Sequence, residues 1–336
     1  MKEDLVGRDE STAGACVPRG LVDAQGRRIE YLRVSLTDRC NFRCSYCSVS
    51  DHEDGDRILS RAELRRVLAA FAGLGVRRVR LTGGEPTLRR EVVEITADAR
   101  ATPGIEEVAL TTNGHRLRQL AVPLRQAGLT ALNVSLDTLD AEVLHRVSGR
   151  GAALALVLDG LEAAAKAGFP SLKLNTVVMR GVNHGELGDL VRYAWARGAT
   201  PRFIELMPFG DGVPVPTAEV KDLLRAQGIL LAPDPKRGWG PAHYMRGPGG
   251  LVGFIGAITE NFCESCNRAR LSADGGFQAC LGGRDRVSLR DLLRSGAGDD
   301  LLAHAVRGAL GRKDTRHHME EEGARLVTLP MMGIGG

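Results

Sequence analysis

Seven cysteines occur in the chain, and six of them fall into two tight groups. Cys40, Cys44 and Cys47 are spaced C-x3-C-x2-C; Cys263, Cys266 and Cys280 are spaced C-x2-C-x13-C. Cys16 stands apart and has no assigned role. This is clustering rather than a disulfide ladder, and grouped thiols in a reducing compartment are kept as metal ligands or catalytic groups. Three thiolates do not close a site, since structural zinc takes four protein ligands and a four-iron cluster takes four cysteines. A trio therefore suits a [4Fe–4S] cubane with one iron left open for a small molecule. For the first group, zinc with His52 as fourth ligand is the competing reading; the second group, taken alone, suggests zinc nearly as readily as iron. His317 and His318 read as surface residues or weak metal binders. Behind Cys266 runs Asn267-Arg268-Ala269-Arg270, whose two guanidiniums point the same way if the stretch is extended.

Between Ser60 and Leu206 the sequence repeats one phrase, a helical stretch closing on a glycine and followed by a β-branched or apolar run. Gly75, Gly128, Gly168 and Gly198 are the stops. Ser60 and Glu63 form a capping box, Leu64, Val67, Leu68, Phe71 and Leu74 keep helical spacing, and Gly75 suits the left-handed position after the last turn. Strands are expected over Tyr31–Leu36, Val76–Leu81, Glu107–Thr111, Ala131–Ser135, Leu172–Val178 and Arg202–Leu206. Six β/α units demand parallel strands with right-handed crossovers, in a doubly wound or a barrel-like sheet. Polar residues collect where these strands end, at Thr82-Gly83-Gly84-Glu85-Pro86, Thr111-Thr112-Asn113-Gly114, Ser135-Leu136-Asp137 and Glu205-Leu206-Met207. That edge is where parallel α/β folds bind ligands. The domain reading is an N-terminal arm (1–27), a partial barrel (28–207), an irregular Pro- and Gly-rich covering segment (208–250) and a C-terminal extension with the second cysteine group (251–336).

Length and composition permit a full-sized core, with 336 residues of which 43% are hydrophobic. The balance of 45 Lys and Arg against 41 Asp and Glu leaves +4, too little to claim nucleic acid or membrane as a partner, so any anion site must be local. No apolar run approaches a membrane span and the first residues lack the features of a secretory signal, so a cytoplasmic protein is expected.

The open iron of the first trio suits S-adenosylmethionine, which chelates through its amino and carboxylate groups. Cys40-Asn41-Phe42-Arg43-Cys44-Ser45-Tyr46-Cys47 is similar to the signature of the radical S-adenosylmethionine superfamily, with Tyr46 at the aromatic position before the last cysteine. Gly83-Gly84-Glu85-Pro86 resembles that superfamily's methionine-binding motif. Over about Arg28 to Gly336, the chain resembles the GTP 3′,8-cyclase family of molybdenum cofactor biosynthesis. The likeness rests on TDRCNFRCSYC, RLTGGEPTLRR, TTNG, NVSLDTLD, KLNTVVMRGVNH, RFIELM, FCESCNRARLSADG and the terminal Gly-Gly. Ser48-Val49-Ser50 departs from the proline-containing stretch common there, and Gly210 to Pro241 cannot be matched residue by residue.

The resemblance implies an incomplete (β/α)6 barrel of the TIM-like type with a cluster-binding C-terminal extension. It implies two [4Fe–4S] clusters, on Cys40, Cys44 and Cys47 and on Cys263, Cys266 and Cys280, the second at the substrate. S-Adenosylmethionine would be held by Tyr46, Gly83, Gly84, Glu85, Ser135 and Met207, and GTP by Arg33, Arg80, Thr111, Lys173, Arg202, Arg268, Ala269 and Arg270. Arg268, Arg270, Gly335 and Gly336 would be catalytic, the tail positioning the arginines. Reductive cleavage would give a 5′-deoxyadenosyl radical that takes the ribose 3′ hydrogen of GTP and leads to 3′,8-cyclo-7,8-dihydroguanosine 5′-triphosphate. A reductant protein such as flavodoxin and cyclic pyranopterin monophosphate synthase are the implied partners, and similar enzymes are often dimers. The rival is another radical enzyme with an auxiliary cluster, such as a peptide modifier.

Overall fold

The computed structural model describes residues 20–47, 57–149, 153–236, 238, 240–283 and 285–317. Cys16, His52, His318, Gly335 and Gly336 lie outside them. Six strands follow the expected positions closely: β1 (Tyr31–Ser35), β2 (Arg78–Thr82), β3 (Glu107–Thr112), β4 (Ala131–Ser135), β5 (Ser171–Val178) and β6 (Thr200–Glu205). Each pairs in parallel with the next. Helices fill the connections, beginning with Arg61–Gly73, whose Ser60 side chain accepts from Glu63 N at 3.2 Å while Glu63 caps Ser60 N at 2.8 Å. Gly75 follows with φ of 96°. The buried side of that helix, Leu64, Val67, Leu68 and Phe71, packs on Leu32, Val34, Val79 and Leu81 of the sheet in one continuous core.

Residues after 206 do not stand apart from this sheet. The segment expected to be irregular contains a helix, Thr217–Ala226, and the strands β7 (Ala232–Pro233) and β8 (His243–Gly247). Its proline count hid a helical stripe in which Thr217, Val220 and Leu224 are buried. Then β9 (Gly250–Ile255) pairs in parallel with β6, and β10 (Arg268–Leu271) pairs in parallel with β1, at the opposite edge. β11 (Gly276–Gln278) and β12 (Val287–Ser288) extend that edge antiparallel. The sheet thus runs β12-β11-β10-β1-β2-β3-β4-β5-β6-β9-β8-β7.

Residues from both of its flanks and from its middle line one cavity: Arg268 of β10, Lys173 of β5 and Ile255 of β9. A sheet can do this only by curving round, so the structure is the barrel-like alternative, open between β9 and β10. Residues 256–267, which carry Cys263 and Cys266, connect β9 to β10 across that opening. No described helix is long and apolar enough to cross a membrane.

Candidate active site

The first cysteine loop leaves the end of β1 and is held against the turn after β2. Gly84 N donates to Thr37 O and Glu85 N to Arg39 O, both at 2.7 Å. Only glycine permits this approach, because a Cβ at Gly83 would lie 2.6 Å from Thr37 O and one at Gly84 2.3 Å from Arg39 O. A methionine-binding motif of this kind has to meet the ammonium of the cofactor's methionine part. The structure spends two N–H groups on the cysteine loop, and an ammonium needs carbonyl acceptors instead, which these pairings do not consume. The Glu85 carboxylate is buried and accepts from Thr87 N and Oγ1, Thr112 Oγ1 and Asn113 N at 2.5–3.0 Å, so it ties the β2 turn to the end of β3. Burial pushes its pKa up, against those bonds.

Tyr46 donates to Asp137 Oδ2 at 2.6 Å, and Asp137 Oδ1 accepts from Val177 N at 2.8 Å. Burial raises Asp137 to about 6. Ser135 and Met207 line the same end of the cavity. Cys40, Cys44 and Cys47 are free thiols, partly buried, and burial pushes Cys40 up to about 12 and Cys47 to about 11. Cys44, also raised, feels both of the others.

The second nest is built from a short turn at Cys263–Ser265, with Cys266 N bonded to Cys263 O at 3.1 Å, and from Cys280 just beyond β11. Cys266 is pushed up by burial, yet Arg268 and Lys313 outweigh it and bring it down to about 7. Among the described residues no three donors are placed to grip a single metal ion. A mononuclear site needs its donors at one bond length from one point, whereas a cubane bonds each cysteine to a different iron. All six thiols face one cavity of about 340 Å³. Two three-cysteine groups lining one cavity are the donor set that two clusters, each with an open corner, require.

Strand register builds the wall between the nests. Arg270 of β10 stands beside Arg33 of β1, which stands beside Arg80 of β2. In the row below, Arg268, Tyr31 and Arg78 alternate, with Glu107 of β3 closing on Arg78 at 2.6 Å. β5 alternates strictly, so that Lys173, Asn175 and Val177 face the cavity while Leu172, Leu174, Thr176 and Val178 are buried behind. Arg80 donates to Tyr31 Oη and, at 3.0 Å, to Thr111 Oγ1. Arg202 donates twice to Asn175 Oδ1, at 2.9 and 2.6 Å.

Among the described residues, seven cations line the cavity, Arg33, Arg78, Arg80, Lys173, Arg202, Arg268 and Arg270, against two carboxylates, Glu85 and Asp137, both at the first cysteine loop. Burial, then the neighbouring Arg270, holds Arg33 well below its ordinary pKa. Burial with Arg202 and Arg80 lowers Lys173 to about 7, and burial with Arg268 lowers Arg270 to about 10. Burial pushes the Tyr31 phenol up, but Arg80, Arg78 and Arg33 outweigh it and hold it at about 7. Such a concentration of strained cations is complementary to a polyanion.

The expected site residues that lie within the described chain line this cavity with one difference: Ala269 turns its side chain into the hydrophobic core, because β10 sends alternate residues to opposite faces. His317 also departs from expectation. It is buried, lines the cavity and bonds Ala257 O at 2.9 Å through Nε2. Sequence reading missed Tyr31, Arg78, Asn133, Asn175 and Lys313. The period-2 patterns of β1, β2, β4 and β5 carried a signal for the first four, since each lies two residues from one already singled out.

A family model described as the Radical SAM superfamily matches residues 34–194, and one described as Molybdenum Cofactor Synthesis C matches residues 199–319. The barrel with its three-cysteine loop is thus that of a radical S-adenosylmethionine enzyme. The GTP 3′,8-cyclase of Heliobacterium modesticaldum is 44% identical over 94% of this chain and all of its own length, and that of Pseudomonas putida strain W619 is 42% identical over 95% and 98%. The chain belongs to the GTP 3′,8-cyclase family, which brings [4Fe–4S] clusters and S-adenosylmethionine as its cofactors. The crystal structure of Streptococcus suis SuiB bound to S-adenosylmethionine superposes with a TM-score of 0.60 at 15% identity, covering 83% of this chain and 68% of that one, and shares the fold.

Proposed function

We propose that this chain is a GTP 3′,8-cyclase, making 3′,8-cyclo-7,8-dihydroguanosine 5′-triphosphate in the first step of molybdenum cofactor biosynthesis. The observation that carries this reading is the row Arg270, Arg33, Arg80, aligned across three strands between two three-cysteine nests. Cys40, Cys44 and Cys47 would hold a cluster that, reduced and with S-adenosylmethionine, would supply the 5′-deoxyadenosyl radical needed to take the ribose 3′ hydrogen. Tyr46, Gly83, Gly84, Glu85, Ser135 and Met207 form the cofactor's end of the cavity. Arg33, Arg80, Lys173, Arg202, Arg268 and Arg270, with Thr111, meet the triphosphate, each charged hydrogen bond contributing about 1.5–3 kcal/mol. Cys263, Cys266 and Cys280 would hold the second cluster, which would serve to bind the guanine end of the substrate. To Gly335 and Gly336 the proposal assigns the role of positioning the catalytic arginines. Burial of the site keeps the ribose oriented and water out.

In this reading residues 28–207 conduct the radical step and 251–336 anchor the substrate, with 1–27 as an arm and 208–250 covering the mouth. A cytoplasmic dimer reduced by a protein such as flavodoxin, and handing its product to cyclic pyranopterin monophosphate synthase, completes the proposal. Anaerobically reconstituted protein with dithionite, S-adenosylmethionine and GTP should yield the cyclised nucleotide. Formation of 5′-deoxyadenosine without any GTP-derived product would overturn the assignment in favour of a peptide-modifying relative.

A further inference from the structure

Lys313 is almost wholly buried, at 4% exposure. Its ammonium donates to Arg268 O at 3.0 Å and to Cys266 Sγ at 3.6 Å, and among the described residues no carboxylate forms an ion pair with it. A buried ammonium costs several kcal/mol unless a counter-charge meets it, and a carbonyl carries no net charge. The sulfur of Cys266 is the group in hydrogen-bonding reach that can carry one.

The lysine is fixed from behind. Arg27 donates to Asp314 O at 2.7 Å, Thr315 O at 2.8 Å and Cys263 O at 2.8 Å, while Asp23 holds the same guanidinium at 2.6 Å. One side chain near the start of the barrel therefore joins the segment bearing Lys313 to the turn bearing Cys263. The His317 backbone N–H completes the wrap by bonding the Cys263 thiol.

We propose that Lys313 is a positioning residue of the second cluster, its ammonium held against Cys266 Sγ so that it offsets thiolate charge and raises that cluster's reduction potential. Potentials of such clusters follow net charge, hydrogen bonds to sulfur and solvent exposure, and Lys313 acts on the first two. The inference rests on the two-cluster reading above. It is tested without GTP turnover, so that the two can fail separately: a parent protein with iron for one cluster defeats the reading, whatever Lys313 does.

The experiment is an EPR-monitored redox titration of the full, anaerobically reconstituted chain and its Lys313→Met, Lys313→Gln and Lys313→Arg variants, with iron and sulfide assayed on each. The first cluster, recognised by the change in its signal on adding S-adenosylmethionine, serves as internal reference. The expected result is a shift of the second midpoint to lower potential in the Met and Gln variants, with Arg close to parent and the first cluster unmoved. Loss of the second cluster from the two neutral variants but not from the Arg variant equally supports a role of the charge. An unchanged second midpoint in a neutral variant that retains both clusters overturns the proposal. So does loss of the second cluster from all three variants, which would mean that lysine's shape rather than its charge is required.

Discussion

Replacing Gly84 by alanine tests how the cofactor end is assembled. The added Cβ would sit 2.3 Å from Arg39 O, 2.6 Å from Arg39 C and 2.8 Å from Asp38 O. These are backbone atoms, so they cannot swing aside, and restoring ordinary contact requires the two segments to separate by about 1 Å, an overpacking that costs about 1–3 kcal/mol. That separation breaks the Gly84 to Thr37 and Glu85 to Arg39 bonds, at about 1 kcal/mol each. Together the losses amount to roughly 3–5 kcal/mol, concentrated between the β2 turn and the loop leading to Cys40. Anaerobic holoprotein should therefore melt several degrees lower, and equilibrium dialysis should show S-adenosylmethionine binding weakened by about tenfold or more. Gly73→Ala is the control, because a Cβ there meets nothing within 4 Å and the residue ends a helix at ordinary φ; it should leave cofactor affinity alone and stabilise by up to about 1 kcal/mol. If Gly84→Ala matched this control in both measurements, the account of the glycine pair would be refuted.

Arg270→Met should act oppositely on binding and stability: the KM for GTP rises roughly 10- to 100-fold through lost charged hydrogen bonds, while relief of the repulsion against Arg33 raises the melting temperature. Lower affinity together with lower stability would contradict it. GTP affinity should also fall as pH rises from about 6 to 8, because Lys173 loses its charge near 7 while Tyr31 gains a negative one over the same range. Lys173→Arg, which stays charged, should flatten that dependence in a plot of KM against pH; an unaltered slope would remove Lys173 from the site.

Four of the six barrel strands were legible because each follows a helix closed by a left-handed glycine, Gly75, Gly128, Gly168 or Gly198, a signal that acts within a few residues. Cys40, Cys44 and Cys47 were legible for the same reason, being adjacent in sequence. What could not be read was the docking of β10 beside β1, which brings Arg270 to Arg33 across most of the chain; register between distant strands is decided by packing, not by local pattern. The second nest was visible as thiols but not as a structure, since Arg27 and Lys313 reach it from opposite ends of the chain. The helix at Thr217–Ala226 was obscured by its proline-rich surroundings, and β10 placed Ala269 against the core where the sequence of the motif had suggested a contact.

The gap between β9 and β10 orders events during synthesis. The cofactor end can form once the nascent chain has passed β6, yet the arginine row and the second nest come into being only after β10 reaches back to β1. Among the described strands, β10 on β1 is the parallel pairing that closes the longest stretch of chain, and closing a long loop costs more chain entropy than closing a short one. A growing chain thus owns the apparatus that makes a radical before it owns the cradle for the molecule that quenches it, and the pocket that confers selectivity certifies that translation has run past the last strands.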